Sequence, residues 1–108
     1  MSRADCIMQS DVSLCAVTAI HVFEGVVSVV LGDGRDERVS CTWDDLEQQA
    51  LRSGFVQVRR GCCVQPFSVK EAFANRVELH NGRFFVVSRH CRKTLRKLFK
   101  LKRNEEDK

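Results

Sequence analysis

Asn81-Gly82 separates the runs "NRVELH" (75–80) and "RFFVVS" (83–88). Asn-Gly between two apolar runs is the strongest short-range hairpin signal, because both residues tolerate the positive φ that a two-residue type I′ turn requires. Those runs are therefore predicted to pair across such a turn. Similar punctuation recurs upstream. "AVTAIHVF" (16–23) and "VVSVVLGDG" (26–34) flank Glu24-Gly25, and Gly32-Asp33-Gly34 supplies turn chemistry before a return strand, "RDERVSC" (35–41). Five of the six residues 26–31 are apolar and four are Val, which favours a strand buried on both faces. "FVQVRR" (55–60), "CCVQ" (62–65) and "FSVKEAF" (67–73) are three further extended runs, broken by Gly61 and Pro66.

Two stretches switch to helical spacing. In "TWDDLEQQALRSG" (42–54), Trp43, Leu46 and Ala50 share one face. Thr42 and Asp45 have capping-box spacing, acids fill the first turn, and Gly54 marks the end. In "RHCRKTLRKLFKLKR" (89–103), Cys91, Leu95, Leu98 and Phe99 form an apolar stripe among basic residues, with Ser88 as N-cap. The order is strands, a short helix, more strands, then a basic helix. The expected fold is mainly β and antiparallel, with one short central helix and a basic C-terminal helix at its edges.

At 108 residues the chain suits one domain. That domain is expected to span 15–103, after an N-terminal arm (1–14) and before an acidic tail (104–108) that frays. No segment approaches the roughly 20 apolar residues of a membrane span, and the N-terminus lacks a signal-peptide pattern. These features point to a cytoplasmic protein with no membrane partner. The six cysteines show no C-x-x-C pair, and His90-Cys91 is the nearest thing to a ligand pair. Neither a zinc site nor any other cofactor is called for. In a reducing compartment the cysteines read as small buried hydrophobes. Adjacent Cys62 and Cys63 should point to opposite faces of a strand. His21, His80 and His90 are far apart, and no nucleophile elbow, P-loop or dinucleotide fingerprint occurs, which argues against an enzyme.

Charge is the more informative feature. Residues 1–58 hold four Lys/Arg against nine Asp/Glu, whereas residues 59–103 hold thirteen Lys/Arg against two. So concentrated a positive field suits a polyanion, nucleic acid first. No helix-turn-helix or zinc-finger pattern is present, and no aromatic-rich strand offers a stacking platform for RNA bases. The cations instead lie on strands and at their ends: Arg59, Arg60, Lys70, Arg76, Arg83 and Arg89. That distribution implies contact through loops and strand ends, with the C-terminal helix, including Arg92, adding phosphate contacts.

"FVQVRRGCCVQ" (55–65) resembles the segment of LytTR-type (LytR/AlgR-like) DNA-binding domains written F-v-r-v-H-R-s-y-x-V-N, with Phe55, Val58, Arg60 and Val64 in matching places. "RVELHNGRFFVVSRHCRKTL" (76–95) resembles that family's closing hairpin, "nG" turn and "vSR" segment. "VVSVVLGDG" and "CTWDDLEQQAL" resemble its "v-x-l-x-dG" strand and "tLxeLexxL" helix. The likeness covers about residues 17–99 with every element in family order. It implies a fold of layered antiparallel sheets and a bacterial transcription factor domain that binds double-stranded DNA, its loops entering successive major grooves of a bent duplex. By the same resemblance, base contacts fall at Glu24-Gly25, near Thr42, and at Asn75-Arg76. A guanidinium at Arg76, in a predicted loop, would suit guanine O6/N7. Ser88-Arg89 can hold a phosphate at a helix N-terminus. Arg59 is the better phosphate candidate, while Arg60 is either a phosphate contact or an arginine bracing the core.

The chain departs from the family pattern in places. Glu24 stands where the first loop usually offers His, Asn or Lys; a carboxylate there repels phosphate and leaves cytosine N4 as its donor. No segment has the length of a receiver domain, so a standalone domain is expected. Family sites are commonly direct repeats, so a second copy or another regulator is an expected partner. Two alternatives stay open: a degenerate interaction protein that modulates another regulator, and an RNA or single-strand binder.

Overall fold

In the computed structural model, residues 16–99 are described. The N-terminal arm, the acidic tail and the last part of the basic C-terminal segment lie outside them. Eight strands and two main helices follow in the order β1 (Val17–Phe23), β2 (Val26–Leu31), β3 (Asp36–Arg38), α1 (Trp43–Arg52), β4 (Val56–Arg59), β5 (Cys62–Val64), β6 (Val69–Ala72), β7 (Arg76–Leu79), β8 (Phe84–Val86) and α2 (Arg89–Leu98). A single 3-10 turn, Pro66–Ser68, replaces the start of the strand expected at 67–73. Pro66 at its first position has no N–H to give to a ladder, so β6 begins only at Val69. The strand expected over 35–41 is likewise shorter.

The strands form a five-stranded sheet, ordered β3-β2-β1-β5-β4, and a three-stranded sheet, β6-β7-β8, both antiparallel. Valine density in β2 makes sense in this setting, because both faces of the larger sheet are covered. On one face α1 lays Leu46 and Ala50 against Val17, Ile20, Val27 and Val29, with Trp43 at the margin. On the other, Ala19, Val30, Val58 and Val64 meet Val77, Leu79 and Phe85 of the small sheet and Leu95 of α2. The fold is therefore mainly β, as the strand and helix spacing implied, and layered, as the family resemblance implied. Cys62 and Cys63 fall into opposite cores. Burial pushes both thiols up to about 12, so they are neutral packing groups at physiological pH.

Both helices carry the expected caps. The Asp45 N–H donates to Thr42 Oγ1 at 3.3 Å, and the Cys91 N–H donates to Ser88 Oγ at 3.2 Å. The apolar stripe of α2 is narrower than its spacing suggests. Cys91 and Leu95 are buried and Phe99 packs at the core edge, but Leu98 is 54% exposed. Phe99 has already left helical geometry (φ −131°, ψ 148°), so its ring reaches the core from an extended residue and Leu98 is turned outward.

The hairpin turns reverse the expectation from sequence. Asn81-Gly82 does not form a two-residue type I′ turn. Leu79 and Arg83 close a three-residue loop: the Gly82 N–H donates to Leu79 O at 3.0 Å, the Leu79 N–H donates to Arg83 O at 2.8 Å, and Gly82 alone is left-handed (φ 90°). The type I′ geometry is instead at Glu24-Gly25, with φ of 50° and 80°. "LGDGR" (31–35) adopts the same three-residue loop as "LHNGR" (79–83), with Gly34 at φ 91° and matching Gly34 N–H to Leu31 O and Leu31 N–H to Arg35 O bonds. In each loop the side chain before the glycine accepts from the arginine N–H after it, Asp33 for Arg35 and Asn81 for Arg83. Glu24 holds a backbone conformation that costs a non-glycine L-residue about 1–2 kcal/mol, and Asn tolerates it better. Glu24→Asn is therefore expected to stabilise the fold by about 1 kcal/mol in chemical denaturation. An unchanged midpoint would show that the turn relaxes at no cost.

The twin loops also weld the two sheets together at one end. Asn81 Nδ2 donates to Thr18 Oγ1 (3.1 Å) and to Leu31 O (3.0 Å), and Arg83 Nη1 donates to Gly34 O (2.8 Å). Arg83 also reaches Asp36 Oδ2 (3.2 Å), whose other oxygen meets His21 Nε2 (2.8 Å). Partial burial pushes the Asp36 carboxyl up, but the His21 hydrogen bond and the Arg83 charge outweigh it and hold it below the ordinary value. A lowered folded pKa means the contribution is present above the ordinary carboxylate range and is lost as pH falls through the lowered value. Asp36→Asn should thus destabilise the protein at pH 7 and lose that effect in strong acid. A penalty that persists after protonation would place its origin in packing rather than charge.

Candidate nucleic-acid interface

The opposite end of the molecule collects the segments that the sequence singled out. The Val22 N–H donates to Gly61 O at 3.0 Å, which sets the β4–β5 turn beside the end of the β1–β2 hairpin. Gly61 is required at that contact. It has φ 82°, and a Cβ there would lie 3.2 Å from Val22 Cγ1, so a side chain would push the two turns apart. The Val39 N–H donates to Val27 O at 3.0 Å, which brings the chain leading to Thr42 to the same end.

The other layer is attached by a bulge. Pairing between β4 and β5 shifts between Gln57 and Arg59, and the Val58 carbonyl accepts from the Ser88 N–H at 2.8 Å. That bond anchors the start of α2 against β4. The Val87 N–H donates to Asn75 O at 2.9 Å and Arg92 Nε donates to Ala74 O at 2.8 Å, so the loop between β6 and β7 is tied to α2 as well.

Nine of the ten candidates therefore converge: Glu24, Thr42, Arg59, Arg60, Asn75, Arg76, Ser88, Arg89 and Arg92. Lys70 stands apart on β6, after Val69, which pairs with Leu79 near the welded end. The nine are not equally available. Thr42 and Ser88 hydroxyls are engaged as helix caps. Arg92 braces the 73–75 loop. Arg76 is not on a loop: it opens β7, its guanidinium lies 4.2 Å from the Phe73 ring centroid, and Nε meets Glu78 Oε1 at 3.4 Å. Phe73, two residues beyond Glu71 on the preceding strand, was the unrecognised partner that draws Arg76 onto the sheet. Arg60 is exposed in the turn, whereas Arg59 is half-buried at the strand end opposite Cys62. Asn75 and Arg89 are exposed.

Helical geometry extends the surface. Arg89, Lys93 and Arg96 recur at i, i+4 and i+7 on α2, all exposed. The candidates drawn from sequence stop at Arg92, because a helix face is only settled once its buried side is known. Arg83, counted among the strand cations, belongs to the welded end and is absorbed by Gly34 and Asp36. Among the described residues no three His, Cys, Asp or Glu side chains are grouped as metal ligands would be. None of the described helices is long and apolar enough to cross a membrane.

The structure defines the class as a layered β domain with a cationic end built from turns and a helix N-terminus. The particular family follows from comparison. The sequence model of the LytTr DNA-binding domain matches residues 10–100, and the chain belongs to that family, one of DNA-binding domains rather than enzymes. The fold is similar to the solved LytTr DNA-binding domain of a protein assigned as a methyl-accepting/DNA response regulator from Bacillus cereus. The TM-score is 0.69 at 16% identity, over 81% of this chain and 84% of that one. No curated protein matches the chain significantly.

Proposed function

We propose that the chain binds double-stranded DNA sequence-specifically and regulates transcription, using the end where the β1–β2 turn, the β4–β5 turn, the 73–75 loop and the start of α2 meet. The supporting observation is that convergence, with Arg60 and Arg89 exposed on it and Lys93 and Arg96 exposed further along α2. The cations neutralise phosphates and set the register, while loop side chains read base edges. Glu24, at the tip of the first hairpin, and Asn75, on the 73–75 loop, are the base-reading candidates. Arg76 contributes from the sheet face beside Asn75, its donors partly committed to Phe73 and Glu78. Arg59 and Arg60 supply phosphate contacts, Arg60 being the freer of the two. Thr42 and Ser88 act by fixing helix N-termini, whose N–H groups favour an anion. Lys70 plays no direct part. Two copies on a direct repeat would place the same end in neighbouring grooves.

The test is selection of bound duplexes from a random pool, followed by a salt series on the winner. Enrichment of one motif, with affinity falling steeply as salt rises, is the expected result. Absence of duplex binding at low salt would sink the proposal. Preference for single strands would favour the RNA or single-strand reading. Capture of another regulator without DNA affinity would favour the interaction protein.

A further inference from the structure

We infer that the tip of the β1–β2 hairpin reads a thymine through its 5-methyl group, with Phe23 and Val26 as the apolar contact; this rests on the duplex-binding reading above. Phe23 is 69% exposed and Val26 37%. The two are cross-strand partners immediately flanking the turn, so their side chains lie together on one face. That face is the one toward the small sheet and α2, since the neighbouring residues Val22 and Val27 belong to the α1 side.

The surroundings decide what such a patch can meet. Val22 is bonded to the Arg60-Gly61 turn, so the apolar pair stands beside arginines at the cationic end. An apolar protein partner would have to be matched to that positive rim, whereas a duplex brings its own phosphates to it. Within the major groove the thymine 5-methyl is the one apolar feature a base edge offers. Between the two hydrophobes sits Glu24, kept at φ 50°. A carboxylate accepts from cytosine N4, which has no major-groove acceptor beside it on its own base. Adenine N6 does have one, N7, and it repels the carboxylate. The hairpin tip is thus complementary to a thymine adjoining a cytosine.

Deoxyuridine substitution isolates the methyl group. Each thymine in the selected duplex is replaced singly by deoxyuridine, and dissociation constants are measured for the native protein and for Phe23→Ala. One replacement is expected to weaken the native complex about fourfold, the worth of burying a single methyl-sized group. Phe23→Ala should be insensitive to that same replacement. Phe23 is exposed, so the variant is expected to keep the native melting temperature. Glu24→Gln should shift preference at the adjoining base from cytosine to adenine, because an amide can pair with adenine N6 and N7. Tight duplex binding that no deoxyuridine alters, or equal sensitivity in Phe23→Ala, overturns this inference and leaves the DNA-binding reading standing. Loss of all duplex binding by the native protein overturns both.

Discussion

Replacing Arg59 and Arg60 together with alanine is expected to weaken duplex binding about thirtyfold at 0.15 M salt, and to lower the slope of log K against log salt by about 2. The magnitude follows from counterion release. Each phosphate neutralised adds about 0.9 to the slope, and so about fivefold in affinity at 0.15 M salt. The turn that carries the two arginines is held against Val22 by the Gly61 contact, so their charges are presented from a rigid base. Arg60→Ala alone should account for at least half of the logarithmic loss, because Arg60 is exposed and Arg59 is half-buried. Arg83→Ala is the control. Arg83 lies at the welded end, bound to Gly34 O and Asp36, and its removal should lower the melting temperature while leaving the salt slope intact. A slope unchanged by the double substitution would move the DNA contact away from this turn. A slope lowered by Arg83→Ala would place it at the wrong end of the molecule.

Elements whose identity depends on their own residues were legible from the sequence. Trp43, Leu46 and Ala50 form a helical face whatever they pack against, and Thr42 caps it through a bond three residues long. The same holds for Ser88 and α2. Cys62 and Cys63 alternate across a strand by simple geometry, and both prove to be core. The candidate site was legible as a set of segments because each lies at a turn or helix start, which antiparallel topology sends to one end or the other. Which end is decided by pairings across layers, such as Ser88 with Val58 and Asn81 with Leu31, and no local pattern carries those. Arg76 illustrates the limit. Its neighbours in sequence suggest a loop, but stacking on Phe73 and pairing with Glu78 draw it into a strand. Phe23 illustrates the converse. In sequence it closes an apolar run like any core residue, and only its exposure in the folded chain sets it apart.

Asn81 separates the two accounts of the closing hairpin by experiment. If Asn81-Gly82 formed a two-residue type I′ turn, Asn81→Gly would be neutral or stabilising, since glycine is at least as tolerant of positive φ. In the three-residue loop Asn81 is not left-handed, and its value lies in its side chain. The amide donates to Thr18 Oγ1 and Leu31 O and accepts from the Arg83 N–H, joining both sheets in one residue. Asn81→Gly and Asn81→Ala are therefore both expected to cost about 2 kcal/mol, within the range for leaving part-buried groups without partners, which lowers the melting temperature by roughly 10 °C in a domain of this size. Asn81→Asp sharpens the point. It keeps the acceptor for Arg83 but sets a carboxylate oxygen against the Leu31 carbonyl, so it should be at least as harmful at neutral pH. It should recover part of the loss as acid protonates it into a donor. A melting temperature unmoved by Asn81→Gly would restore the two-residue turn. A loss common to glycine and alanine, partly regained by aspartate at low pH, assigns the joint between the sheets to this one amide.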